Sequence, residues 1–480
     1  MKYLNHKITT ALTGVLVASA VLSGCKKDFL NVTPSTSIAS TDAFSSPEKI
    51  AAAITGIYDL TTYYGYTNNI LLNQEVKGED VLVNSVNNYG RFLPGYQYIE
   101  TVNSSELQDH WSYGYKIITN CNMLIQNVPA AAVSDDVKLQ ATAEARAIRA
   151  ISHFYLVREF ATPYTVDPTA LGVPVVEKIV NYNDKFPARS TVKDVYTSIV
   201  NDLLFADANL SSSATDIYKM TKNSIEGNLA RVYLTMGDYA NASKYAQLAR
   251  NGYPLASASS LLAGFSDPTS EWIWAQNVRS DDNNGFLAVQ SFYDPYNKGY
   301  SSFRATQEFL NSFSDSDIRK NQFKIPAASG GDVTTGVIKK SGNGYLISKF
   351  LYRGAWDNQQ LLLRSSEMVL IDAESQARLG NEGAAKADLL LIQQRAIPGS
   401  VTSANTGTAL INEILFERRK ELFGEGHRFF DIKRTNQGID RSQSVSHWSK
   451  LVIPPGDKRF NLPIPQAEID ANPAIVQNPL

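Results

Sequence analysis

The sequence predicts a mainly α fold: a scaffold of tetratricopeptide-like helix pairs with long irregular loop insertions and a few short strands. Three observations predict it. Helix-period runs of apolar residues, with capping residues at their starts, recur along the chain. Two segments set small residues, joined in the first by tyrosines, at the spacing of a tetratricopeptide helix-turn-helix. Between the helical runs lie stretches rich in Gly, Asn and aromatic residues, a composition suited to loops.

In chain order, Lys2 and Lys7 flank a basic start, and Ala11 to Leu22 is apolar or small, the form of a secretory signal. The run is too short to span a membrane. It closes on Leu22-Ser23-Gly24-Cys25, which resembles the lipobox of bacterial lipoproteins. We therefore expect residues 1–24 to be removed and Cys25 to carry acyl chains. Residues 25–46 are then a polar, Ser/Thr-rich tether, and 47–480 a single domain, helical over about 47–255 and continuing over about 256–480. Removal takes away two lysines and no acid, moving the net charge from −2 to −4. Cys121 is left without a partner, so no disulfide is expected.

A first helix starts at Pro47. Asp135 or Asp136 can cap a helix that runs to Phe160 and stops before Pro163. Asn223 and Glu226 form a capping-box-like start for Ile225 to Met236. Gly237-Asp238 turns the chain into a helix over Tyr239 to Arg250. In this pair Leu229, Ala230, Tyr233, Gly237, Tyr239, Ala242, Ala249 and Pro254 follow the tetratricopeptide spacing. Ala373, Gly380, Ala385 and Leu389 repeat it more weakly within Glu367 to Arg395. The copies are far apart in sequence, which argues against a tandem solenoid. The connections, roughly 63–104, 253–305 and 320–360, are expected to carry the function. Trp272 and Trp274 alternate around Ile273 like one face of a strand, and Trp111 sits on a helix; these read as core.

Composition narrows the function. Of 480 residues, 43% are hydrophobic, 10% aromatic and only 19% charged, with 24 tyrosines. A net charge of −2 argues against nucleic-acid binding, which needs a basic face. No two histidines stand at HExxH spacing, and there is no Gly-x-Ser-x-Gly elbow or P-loop. Asp281-Asp282-Asn283-Asn284-Gly285 has the look of a calcium loop, but Ser280 and Ser291 stand where the first and twelfth ligands belong, so it reads as a polar turn. On the charged helix over Ile411 to Phe423, Glu417 and Glu421 lie one turn apart with His427 beyond. Beside so many arginines they read as ion-paired framework rather than as a catalytic pair. No catalytic residue, metal ligand or cofactor is predicted.

Aromatic loops say more. Sugars present flat C–H faces beside hydroxyls, which suit Tyr and Trp platforms flanked by polar side chains. The loop 87–98 has that mixture, giving Asn88, Tyr89, Arg91, Phe92, Tyr96 and Tyr98 as candidates. Tyr293 and Tyr296 in the stretch 292–297, and Trp356 beside Asp357-Asn358, complete the set.

Many motifs in one order then resemble the SusD/RagB-type outer-membrane lipoproteins of Bacteroidetes. Cys25-Lys26-Lys27-Asp28-Phe29-Leu30 is similar to the family's mature start. Trp111, Tyr115, Ile118 and Asn122 match one helix, and Ala143, Arg146, Arg149, Ala150 and Phe154 to Arg158 the next. Arg189, Thr191, Val192, Val195, Tyr196, Ile199, Asp202 and Leu203 follow, and then Arg364, Glu367, Leu370, Ala373 and Glu374. The sharpest match is Glu417 through Arg434, with Pro463-Ile464-Pro465 and Gln477-Asn478-Pro479 in the tail. Ala161 departs from the pattern, where the family often has Gly. The resemblance implies a cell-surface lipoprotein that captures oligosaccharide or polysaccharide and passes it to a SusC-like TonB-dependent transporter. The membrane would be held through N-terminal acyl chains, and no bond made or broken. Capture of peptides or another nutrient in the same lid role, or surface glycoside hydrolysis, are the alternatives.

Overall fold

A computed structural model describes residues 43–86, 88–181, 184–211, 215–329, 331–352 and 354–480. The expected signal peptide, Cys25 and nearly all of the tether lie outside the described residues.

The N-terminal half is built of helices: α1 (Pro47–Thr62), α2 (Asn69–Val76), α3 (Ser105–Asn127), α4 (Asp135–Phe160), α5 (Val192–Asn209), α6 (Lys222–Met236) and α7 (Tyr239–Ala249). Their starts are chemically marked. Ser46, Ser134, Thr191, Thr221 and Asp238 each accept a backbone N–H of the first turn. Two starts differ from expectation by a few residues. Ser134, not an aspartate, caps α4, leaving Asp135 and Asp136 to face the helix dipole in the first turn. The capping box of α6 is Thr221 with Ser224, so that helix begins three residues early.

Small residues let the helices close up. Ala141, Ala145 and Ala147 of α4 are buried against its neighbours, and Tyr233 of α6 stacks on Tyr245 of α7, centroids 5.7 Å apart. Helices α8 (Ser365–Arg378), α9 (Glu382–Ala396), α10 (Gly407–Glu421) and α11 (Arg428–Arg434) complete the scaffold. Ala373, Ala377, Ala385, Leu389, Leu410 and Ile414 form their joint core. The two tetratricopeptide-like pairs, distant in sequence, are neighbours in space. Helix α7 packs directly on α8, and Ser243 donates to Asp372 at 2.7 Å. The solenoid is thus continuous in three dimensions and interrupted only in the chain, by residues 250–364.

That insertion is closed at its base by an antiparallel ribbon, β2 (Trp272–Gln276) against β6 (Gln360–Arg364), with Trp272 opposite Arg364. It folds over a second core in which Phe292, Tyr293, Phe303, Phe309, Phe323 and Phe350 meet Leu72 and Val76 of α2. A small sheet of order β1-β3-β5-β4 joins Val81–Val83 (β1), Phe303–Ala305 (β3), Gly344–Tyr345 (β5) and Lys340–Ser341 (β4). Trp111, Trp272 and Trp274 are all buried, as their patterns predict.

Charge fastens the insertion to the scaffold. Arg364 binds Glu271 (3.0 Å), Glu421 (2.7 Å) and Glu425 (2.7 Å); Arg319 reaches Glu417 (2.6 Å) and Glu421 (3.1 Å); Lys349 reaches Glu425 (2.6 Å). All of these side chains are buried. Burial alone would push the Glu421 carboxyl up, but Arg395, Arg364 and Arg319 outweigh it and hold it well below the usual carboxylate range. His427 is pushed down to about 4, chiefly by burial, and so is neutral near pH 7. Glu417, Glu421 and His427 are therefore framework.

Candidate functional site

The loop after β1 is shaped by Asn88. Its buried side chain accepts the Gly90 N–H (3.0 Å) and donates to the Arg91 carbonyl (2.9 Å). The turn pushes Tyr89 outward, at φ 55° and 87% exposed, and sends Phe92 inward at φ 59°. Phe92 meets Phe292 edge-on at 5.0 Å. Arg91 stays near the surface and donates from Nε to the Tyr300 hydroxyl at 3.2 Å.

The loop around 294 is drawn together by a buried carboxylate. Asp294 accepts from the backbone N–H of Tyr296 (3.1 Å), Lys298 and Gly299 (3.0 Å), while Ser291 Oγ accepts from that of Tyr300 (3.0 Å). The half-buried Tyr300 ring is thereby laid flat on Phe292, centroids 5.0 Å apart and planes 17° off. Gly299 is needed here: a Cβ at this position would sit 2.7 Å from the Trp356 ring.

These segments align five rings along the surface. Tyr89 lies 6.1 Å from Tyr300, Tyr300 6.4 Å from Phe286, Phe286 5.8 Å from Trp356, and Trp356 4.2 Å from Tyr352. Phe286 is 59% exposed, and Trp356 and Tyr352 are half-buried without packing on either large core. Tyr89, Asn297, Ser301 and Trp356 all have positive φ. A non-glycine residue held there costs roughly 1–3 kcal/mol, and such positions gather at functional sites.

Of the nine predicted ligand residues, Tyr89, Arg91 and Trp356 come together on this strip. The structure corrects five others. Asn88, Phe92, Tyr96, Tyr98 and Tyr293 are buried: Asn88 and Phe92 shape the loop beneath the strip, while Tyr96, Tyr98 and Tyr293 pack into the interior. The Tyr96 hydroxyl bonds His447 Nδ1 at 2.9 Å, and its ring covers the Arg441 guanidinium at 4.7 Å. Tyr98 donates to the Lys77 carbonyl at 2.6 Å. Tyr293 packs on Phe303 and Phe350. Tyr296 stays half-buried, its hydroxyl spent on the carbonyls of Pro326 (3.1 Å) and Ala328 (3.0 Å). Sequence reasoning missed Phe286, Tyr300 and Tyr352. Gly285 directly before Phe286 and Gly299 directly before Tyr300 are the available signal, an aromatic beside glycine in a polar loop; Gly354 stands two residues after Tyr352. In the stretch 281–285, Asp281 pairs with Arg279 at 2.7 Å, and Asn283 closes the turn onto the carbonyls of Arg279 and Ser280.

Known proteins resemble this chain in two separate stretches and in its fold. A family model described as "SusD family" matches residues 329–480, and one described as "Starch-binding associating with outer membrane" matches residues 28–234. The chain is 23% identical to "SusD-like protein P38" of Formosa agariphila, over 92% of this chain and 93% of that one. A SusD superfamily protein from Bacteroides thetaiotaomicron superposes with a TM-score of 0.81 at 28% identity, covering 91% of this chain and all of the other. A SusD-like carbohydrate binding protein from Bacteroides vulgatus shares the fold, with a TM-score of 0.80 at 22% identity over 90% and 98% of the two chains.

Proposed function

The chain belongs to the SusD family, and from that premise we propose that it captures oligosaccharide or polysaccharide at the cell surface for a SusC-like TonB-dependent transporter. Proteins of this family are carbohydrate-binding proteins, not enzymes. The observation that carries the reading is the strip Tyr89–Tyr300–Phe286–Trp356–Tyr352, with Arg91 and Asn297 beside it. Flat rings stack on the C–H faces of pyranoses while the polar neighbours bond the hydroxyls. Binding on such a strip of rings is expected in the micromolar to millimolar range, roughly 4 to 8 kcal/mol. Weak binding suits hand-off to a transporter.

In the same reading, residues 1–24 are removed, Cys25 carries the lipid, 25–46 tether the protein, and 47–480 act as one SusD-like domain on the outer face of the outer membrane. Among the described residues no helix is long and apolar enough to cross a membrane. The test is calorimetric titration of soluble protein lacking residues 1–25 against plant, fungal and host glycans. Heat with a glycan supports capture. Heat with peptides alone would move the ligand class, and release of reducing sugar would overturn the binding-only role.

A further inference from the structure

A second group of half-buried surface rings lies outside the platform. Tyr63, at the C-terminus of α1, stacks face to face on Tyr113 of α3, centroids 3.9 Å apart and planes 12° off, and Tyr64 lies 4.4 Å from Tyr63. Tyr64 opens the turn Tyr64–Asn68, which is wound as a π-helix between α1 and α2. Widened turns of this kind occur frequently at functional sites. All three rings are half-buried, and Tyr63 and Tyr64 pack on neither large core. Lys116 Nζ stands 5.1 Å from the Tyr113 ring. Gly65 admits the arrangement: a Cβ there would fall 2.6 Å from both Asp109 Oδ2 and the Tyr63 ring. Three phenol hydroxyls, a carboxylate and an ammonium thus border a patch of ring surface.

Two hydrogen bonds fix where this patch lies. Asn284 donates to the Thr62 carbonyl at 2.9 Å, and Asn68 donates to the Leu287 carbonyl at 3.3 Å. On one strand of that junction Phe286 sits between the anchors; on the other, Tyr63 and Tyr64 do. The second cluster therefore adjoins the platform at its Phe286 edge.

We infer that Tyr63, Tyr64 and Tyr113, with Asp109 and Lys116, form a second sugar subsite that takes a further pyranose of the same chain bound on the platform. This rests on the glycan reading of the platform and sharpens it: the ligand is a polysaccharide or long oligosaccharide rather than a mono- or disaccharide. Tyrosine suits the task because its ring supplies the apolar face and its hydroxyl a polar tip.

Affinity electrophoresis tests it, in native gels cast with amylopectin, galactomannan, xylan, pectin or yeast mannan. The proteins are the soluble wild type, Trp356→Ala, the double variant Tyr63→Ala/Tyr113→Ala, and Ser112→Cys conjugated to a maleimide polyethylene glycol. Ser112 is exposed beside Tyr113 and Cys121 is buried, so the conjugate covers the patch without disturbing a core. We expect one polysaccharide to retard the wild type and to bind the double variant and the conjugate at least about fivefold more weakly. A trisaccharide of the same sugar should bind all but Trp356→Ala unchanged in calorimetry. Wild-type retardation of both cluster proteins overturns the subsite. If Trp356→Ala is retarded normally while the cluster proteins are not, the platform reading fails, and with it the claim that one glycan chain spans both sites. No retardation of the wild type in any gel overturns both.

Discussion

Tyr89 and Tyr96 stand seven residues apart on one loop and have opposite fates. The Asn88 turn forces Tyr89 into left-handed backbone and out into solvent. Tyr96 follows in the short helix Leu93–Gln97 and points inward, where His447 and Arg441 enclose it. Residue type alone does not separate them, since both are tyrosines in a Gly- and Asn-rich stretch. Their substitutions should separate. Tyr96→Ala removes a fully buried ring and leaves His447 Nδ1 without its partner, so it should cost about 3–5 kcal/mol of stability. Tyr89→Ala should leave stability within about 0.5 kcal/mol. Equilibrium denaturation of the two variants checks this.

Helix α10 and the turn after it work as a clamp. Glu417, Glu421 and Glu425 present carboxylates to Arg319, Lys349, Arg364 and Arg395, three of which belong to the insertion and one to α9. Burying these charges is tolerable only because each is paired, and deleting one partner strands the rest. Glu421→Gln should therefore lose about 3–5 kcal/mol at pH 7. Because the Glu421 carboxyl titrates far below its unfolded value, its contribution is complete above roughly pH 4.5 and is lost as pH falls further. His427 acts in the same direction at higher pH: neutral when folded down to about 4, it costs stability as pH falls through the unfolded value of roughly 6.5. Denaturation measured from pH 7 to pH 3 should show the wild type losing stability on acidification. Glu421→Gln should lose less than the wild type over the lower part of that range.

Across the whole molecule, the scaffold was legible and the ligand face only partly so. Helix periodicity and small-residue spacing are local properties, so α4, α6, α7 and the α8–α9 pair could be read from sequence to within a few residues. The stacking of α7 on α8 could not, because nothing local says that residues 250–364 leave and return through the Trp272–Gln276 and Gln360–Arg364 ribbon. The platform is nonlocal in the same way. Tyr89, Tyr300, Phe286, Trp356 and Tyr352 come from three separated segments, and only the fold makes each ring the neighbour of the next. On the proposed glycan reading, low charge and abundant tyrosine suit a neutral ligand. If glycan binds on this strip, calorimetric titration of the wild type and of Tyr89→Ala/Trp356→Ala, with the glycan that gives heat, should show at least a tenfold loss of affinity in the double variant, about 1.4 kcal/mol, with a melting temperature within about 2 °C of wild type. Equal affinity in the two proteins would place the glycan elsewhere.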